Sequence, residues 1–215
     1  MPDQTVPDGP AAPDVPRRER KKQQTRDALV EAALTLFEAQ GYEQTAVHEI
    51  TDAVDVSERT FFRYFAGKED LVLSFSRDRT AALLEALAAR PPGEDPLTAL
   101  RRAFRRSLDF TPAAEARYLS VLRLIDGTPT LIAASLRDAD EHSEEIVAAL
   151  ARREDVDPAT DLRPRILAAT FGVLVFKAIH DWRKAGGTGV EAMLARLDSY
   201  AGQFGPGLFG HWRNP

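Results

Sequence analysis

Two residues with helix-capping side chains, Thr45 and Ser57, stand twelve positions apart in "TAVHEITDAVDVSERTFFRYF", and this spacing constrains the fold more than any other feature. A capping oxygen accepts one of the backbone N–H groups left unpaired at a helix start, so each residue marks a beginning. The interval holds a helix of about two turns after Thr45, in which Val47, Ile50 and Val54 share a face. A tight turn at Asp55-Val56 follows, and Ser57 then opens another short helix over about 58–65. Upstream, Leu29, Ala33, Leu36 and Phe37 recur at helical spacing, and Gly41 is placed to end their helix.

The helix after Ser57 alternates between side chains that want a core and side chains that want an anion. Phe61 and Phe65 are four apart and fall on one face, which predicts that they anchor it in a small core. Arg59, Thr60, Arg63 and Tyr64 fall largely on other faces. Two short helices joined by a tight turn have the spacing of a helix-turn-helix, whose second helix fits the major groove of DNA, a trough about 12 Å wide. Ser57 can cap its helix and also meet a phosphate with the neighbouring N–H groups.

Composition bears on partners and compartment. The formal net charge of −5 argues against a generally basic nucleic-acid binder, but screening over about 8–10 Å makes local charge decisive. "RRERKK", residues 17–22, is a local basic patch of the kind that is otherwise a solvated tail. With no cysteine there is no disulfide framework, thiol nucleophile or thiolate metal site. "ILAATFGVLVFKAI", 166–179, is too short to span a membrane and carries Lys177, and the N-terminus lacks the regions of a signal peptide. The expectation is a cytoplasmic protein with no membrane partner.

Along the chain, 1–16 are rich in Pro, Asp and Ala and predict a disordered tail. Pro91-Pro92-Gly93 is the strongest internal break, ending a fourth helix of about 68–90. Helices are expected over about 96–110, 112–125, 129–153, 160–185 and 189–203. Asp95-Pro96, Thr128-Pro129 and Asp157-Pro158 each set a capping side chain before proline at a first helical position. No strand alternation occurs. The expectation is an all-α protein of about nine helices.

Residues 25–72 resemble the TetR family of bacterial transcription regulators. The resemblance lies in the first-helix pattern, Gly41-Tyr42, Ile50, Val56-Ser57, Thr60, Phe65, Lys68-Glu69 and Leu71. It implies a helix-turn-helix domain over 17–67, with the motif at about 46–65. A helical ligand-binding and dimerisation domain would follow over 68–204, and a tail over 205–215. It also implies that double-stranded operator DNA is contacted by Thr45, Ser57, Tyr64 and Lys68 at phosphates and by Arg59 and Thr60 at bases, with Arg63 on the border. "RRERKK" resembles the basic arm that precedes the first helix in some members. Asp55 stands where the family usually has glycine, Phe62 where it usually has tyrosine, and Glu58 replaces a frequent lysine.

A more diffuse resemblance over about 117–185, including "RLIDGTPTL" and "DPATDLRPRILAATFGV", is to the C-terminal domain of mycofactocin-type TetR regulators. The TetR resemblance implies a homodimer formed through the last two helices, and this more diffuse one implies a small hydrophobic, acyl-CoA-like ligand. Apolar Leu167, Phe171, Leu174, Val175 and Ile179 cover more than one face of the penultimate helix, and Met193, Leu194 and Leu197 give the last an apolar stripe. Candidate pocket residues are Phe104, Leu108, Tyr118, Leu122, Phe171 and Val175. Arg101, Arg102, Arg105 and Arg106 are available to an acidic head group, though a solvated face is the plainer reading. None of His48, His142, His180 and His211 sits in a recognisable catalytic motif, and no cofactor is implied. Asp138, His142 and Glu145 share a helical face of metal-binding residue types, for which a surface charge cluster is the simpler account. The predicted function is a homodimeric repressor released from its operator by a ligand, and the alternative is a helical small-molecule carrier without a DNA role.

Overall fold

In the computed structural model, residues 17–203 are described. The expected tails at 1–16 and 205–215, and His211, lie outside the described residues, with Phe204. Helices make up most of the described residues, with no strand among them. They are α1 (Arg17–Gln40), α2 (Val47–Asp52), α3 (Glu58–Phe62), α4 (Lys68–Ala88), α5 (Pro96–Ser107), α6 (Pro112–Gly127), α7 (Pro129–Glu154), α8 (Arg163–Lys184) and α9 (Val190–Ala201). The chain divides into two compact units, one ending at Tyr64 and one beginning at Phe65.

In the first unit α2 packs on α1 and α3 on α2. Leu29, Ala33, Ile50 and Phe61 are fully buried, and the Phe37 and Tyr42 rings meet at 5.1 Å. Gly41 ends α1 at φ 92°, its N–H donating to the Phe37 carbonyl at 3.0 Å. Thr45 does not cap α2. The helix starts one residue later, after Ala46, and the Thr45 hydroxyl turns back to donate to the Gly41 carbonyl at 2.8 Å. Glu49 does the capping, accepting the Ala46 N–H at 2.8 Å and Gln40 Nε2 at 3.0 Å. The backbone N–H first, and Gln40 next, hold its carboxyl below the usual carboxylate range. Asp55 takes φ 53°, the left-handed turn that lets Val56 N–H reach the Thr51 carbonyl at 3.1 Å.

Ser57 caps α3 as expected, accepting the Thr60 N–H at 3.2 Å. The helix is shorter than 58–65. It stops at Phe62, where Tyr64 N–H closes a tighter turn on the Phe61 carbonyl at 2.8 Å. Phe61 is a helix anchor at 0% exposure, while Phe65, also buried, lies beyond the helix end. The basic run 17–22 is not an arm ahead of α1 but its exposed first turns.

In the second unit α4 packs on α5 and α7, α7 on α6 and α8, and α8 on α9. Leu100, Phe104, Leu150, Leu167, Trp182 and Met193 belong to its core. Asp95 caps α5 through Thr98 N–H at 2.7 Å, and Thr111 caps α6 through Ala114 N–H at 3.4 Å. Two expected caps differ. Thr128 precedes α7 but accepts no capping bond. Asp157 instead accepts Ala159 N–H at 2.9 Å within a separate turn, so α8 begins at Arg163, where Asp161 accepts the backbone N–H at 2.9 Å. No single helix among the described residues is long and apolar enough to cross a membrane.

Candidate functional site

The outward side of α3 follows from its buried one. Phe61 is inside, so Glu58, Arg59, Phe62 and Arg63, at spacings of three and four, are exposed together. Arg59 has no ion-pair partner among the described residues. The Arg63 guanidinium lies 5.1 Å from the centroid of the Tyr64 ring and reaches its hydroxyl at 3.4 Å. The Ser57 and Thr60 hydroxyls are 3.1 Å apart at the start of the helix. Five of the seven residues expected at DNA, Ser57, Arg59, Thr60, Arg63 and Tyr64, therefore cluster in and around α3. Thr45 is 1% exposed in the α1–α2 turn. Lys68 is the first residue of α4 and belongs to the second unit.

Within the second unit a cavity of about 990 Å³ opens along α4, α5 and the start of α9. Arg79, Ala82 and Ala86 of α4 line it together with Arg105, Leu108 and Phe110. Arg79 stacks over Phe110, 4.9 Å from its centroid, and donates to the Ser107 carbonyl at the end of α5. Of the six expected pocket residues only Leu108 lines this cavity. Phe104, Tyr118 and Phe171 lie in the core, with Phe104 and Phe171 edge to face at 5.7 Å, and Leu122 and Val175 pack against it. Burial pushes the Tyr118 hydroxyl up to about 12, against the pull of nearby Arg79.

Sequence reasoning missed Arg79 and Phe110. Arg79, Ala82 and Ala86 do share a helical face, but what that face meets is decided by where α5 ends. The arginines of α5 are ion-paired rather than simply solvated. Arg101 reaches Asp198 at 2.7 Å, and Arg105 reaches Glu191 at 2.6 Å and Asp198 at 3.0 Å, tying α5 to α9. Asp138 and His142 turn to each other, with His142 Nδ1 2.6 Å from the Asp138 carbonyl. Among the described residues no group of three acidic or histidine side chains is arranged to hold a metal.

A three-helix unit whose last helix turns arginines outward, followed along the chain by a unit of six helices α4–α9, is the architecture of a DNA-binding regulator. The family model for bacterial regulatory proteins of the tetR family matches residues 29–75, and that for the MftR C-terminal domain matches 94–202. The HTH-type transcriptional regulator TcmR of Streptomyces glaucescens is 38% identical over 217 residues, covering 98% of this chain and 94% of that protein. Two solved structures share the fold at a TM-score of 0.55. One is the fatty acid degradation regulator FadR of Bacillus halodurans, 17% identical over 88% of this chain and 97% of the other. The other is SmeT, the repressor of the Stenotrophomonas maltophilia multidrug efflux pump SmeDEF, 18% identical over 90% and 97%. The chain belongs to the TetR family and is a DNA-binding transcriptional regulator.

Proposed function

We propose that the protein is a homodimeric repressor that grips double-stranded operator DNA through α3 and lets go when a small molecule occupies the second unit. The observation that carries the reading is the outward set on α3, with exposed Arg59 and Arg63 beside the Ser57 and Thr60 hydroxyls and buried Phe61 behind them. In this reading Arg59 and Thr60 meet base edges, and a guanine O6 and N7 pair is the strongest partner for Arg59. Arg63 lies at the border, while Ser57, Tyr64 and Lys68 meet phosphates. Thr45, being buried, acts by holding the α1–α2 turn.

The second copy is supported by α8. Leu162, Ile166, Val173 and Phe176 are exposed there at spacings that keep to one side of the helix, Val173 at 65% and Phe176 at 50%. An outward apolar stripe of this length is what a partner helix covers. These are not the residues named from sequence, since Leu167 and Phe171 face the core. Two-fold symmetry doubles the contacts to DNA and fits a paired half-site. The ligand is supported by the cavity, where Arg79 and the ion-paired Arg105 stand with Glu115 and Glu191 beside Ala82, Ala86 and Leu108. In this reading Arg79 receives the acidic group of a hydrophobic molecule, such as an acyl thioester of a phosphorylated carrier. The work of such a protein is at DNA in the cytoplasm, and no reaction is assigned to it.

The test is selection of genomic fragments by the purified protein, followed by a footprint. A two-fold symmetric site, protected by wild type and more weakly by Arg59→Ala, is the expected result. A protein that enriches no fragment but binds acyl compounds would be a carrier instead.

A further inference from the structure

Phe62 is the one large apolar side chain on the outward side of α3, and it is 53% exposed. Its place is set by two neighbours. Phe61, fully buried, meets it edge to face at 5.5 Å and 84°, so the Phe62 ring stands against a fixed surface. Arg59 and Arg63 flank it three residues before and one after, and Glu58, four before, shares its side. The helix therefore shows a groove a basic rim with an aromatic knob in the middle. Phenylalanine has no hydrogen-bonding group, so Phe62 cannot serve a phosphate or a polar base edge. In the major groove the one apolar feature of a base edge is the 5-methyl group of thymine.

We infer that Phe62 is a specificity-determining residue that reads the 5-methyl group of one thymine per half-site. The inference rests on the reading of α3 as the DNA-contacting helix. Three residues advance a helix by about 4.5 Å, and a base step along one strand is about 3.4 Å, so the Phe62 thymine lies within about two steps of the base met by Arg59. Glu58 is suited to a cytosine amino group on the same edge. The edge-to-face contact with Phe61 holds the knob in place before DNA arrives, which lowers the ordering cost of binding.

The test uses the full-length protein and an operator fragment recovered by selection. Each thymine is replaced in turn by deoxyuridine, which removes only the methyl. Wild type should lose about fourfold in affinity at one position per half-site, the equivalent of about 0.8 kcal/mol for one methyl, and about fifteenfold when both half-sites are changed. Phe62→Ala should bind the natural operator more weakly and be indifferent to deoxyuridine at that position. Phe62→Leu should keep part of the discrimination, and all three proteins should stay folded at the assay temperature, the variants melting only slightly earlier because they lose the contact with Phe61. Wild-type affinity unchanged by deoxyuridine at every position overturns the inference, as does a Phe62→Ala variant that still discriminates. A wild type that binds no fragment at all fells the DNA-contact reading itself, and this inference with it.

Discussion

Gly187 lies so close to Trp182 that an ideal Cβ at position 187 would sit 2.8 Å from the Trp182 carbonyl oxygen, and nearer still to Cδ1 and Nε1 of the indole. Trp182 is 1% exposed in the core, so the indole cannot swing aside. Gly187→Ala should therefore destabilise the fold by about 1–3 kcal/mol, as overpacking does. Gly93, with nothing within 4 Å of its Cβ position, is the control. Urea titration of both variants checks this, with Gly93→Ala expected close to wild type.

Asp138 makes stability depend on pH. Burial raises its carboxyl above the ordinary 3.8, Glu141 and Asp70 add to the rise, and His142 and Arg77 oppose it. A raised carboxyl binds its proton more tightly in the folded state. The stability it contributes is complete below 3.8 and is lost as pH climbs through the folded value. Asp138→Asn has no such loss. The melting temperature of the variant should gain on wild type from acid to neutral pH, and a constant difference across that range would refute the account.

Arg59 and Lys68 should fail in different ways. Arg59→Ala is expected to relax preference at one base pair per half-site at a cost of about 1–3 kcal/mol. Lys68→Ala should weaken all sequences about equally and flatten the salt dependence by about one contact. Anisotropy titrations on operator and unrelated DNA at several salt concentrations separate the two, and exchanged phenotypes would reverse the assignments.

Val173 and Phe176 are the levers on assembly. Because both are exposed on α8, Val173→Glu with Phe176→Glu should leave the subunit folded but monomeric by sedimentation. Operator affinity should fall with it, since one half-site must then be held alone. A dimer that survives the double change would put the contact on another face.

Ala86→Trp should fill part of the α4–α5–α9 cavity without touching α3. A ligand shifts DNA binding only by its differential affinity for the two conformations. If a ligand weakens operator binding a hundredfold, operator must weaken ligand binding equally, a coupling of about 2.7 kcal/mol. The variant should bind operator like wild type and lose the response, so an undiminished response would move the ligand site elsewhere.

What the sequence determined by itself is whatever depends on near neighbours along the chain. The helical periodicity, the breaks at Gly41 and Pro91-Pro92-Gly93, and the caps by Ser57 and Asp95 are interactions within a few residues, so all-α architecture and the short helix pair were legible. The positions at α3 were legible for the same reason, because burial of Phe61 fixes which of its neighbours face out. Tertiary structure decided the rest. Thr45 and Asp157 carry capping side chains, but each found a nearer partner once its turn had closed, and the helices began further on. α8 has apolar residues on several sides, and only packing against α5, α6, α7 and α9 separates buried Leu167 and Phe171 from exposed Val173 and Phe176. The cavity joins Arg79 of α4 to residues as distant as Leu194, a juxtaposition that no local pattern encodes because it is made by helices meeting in space.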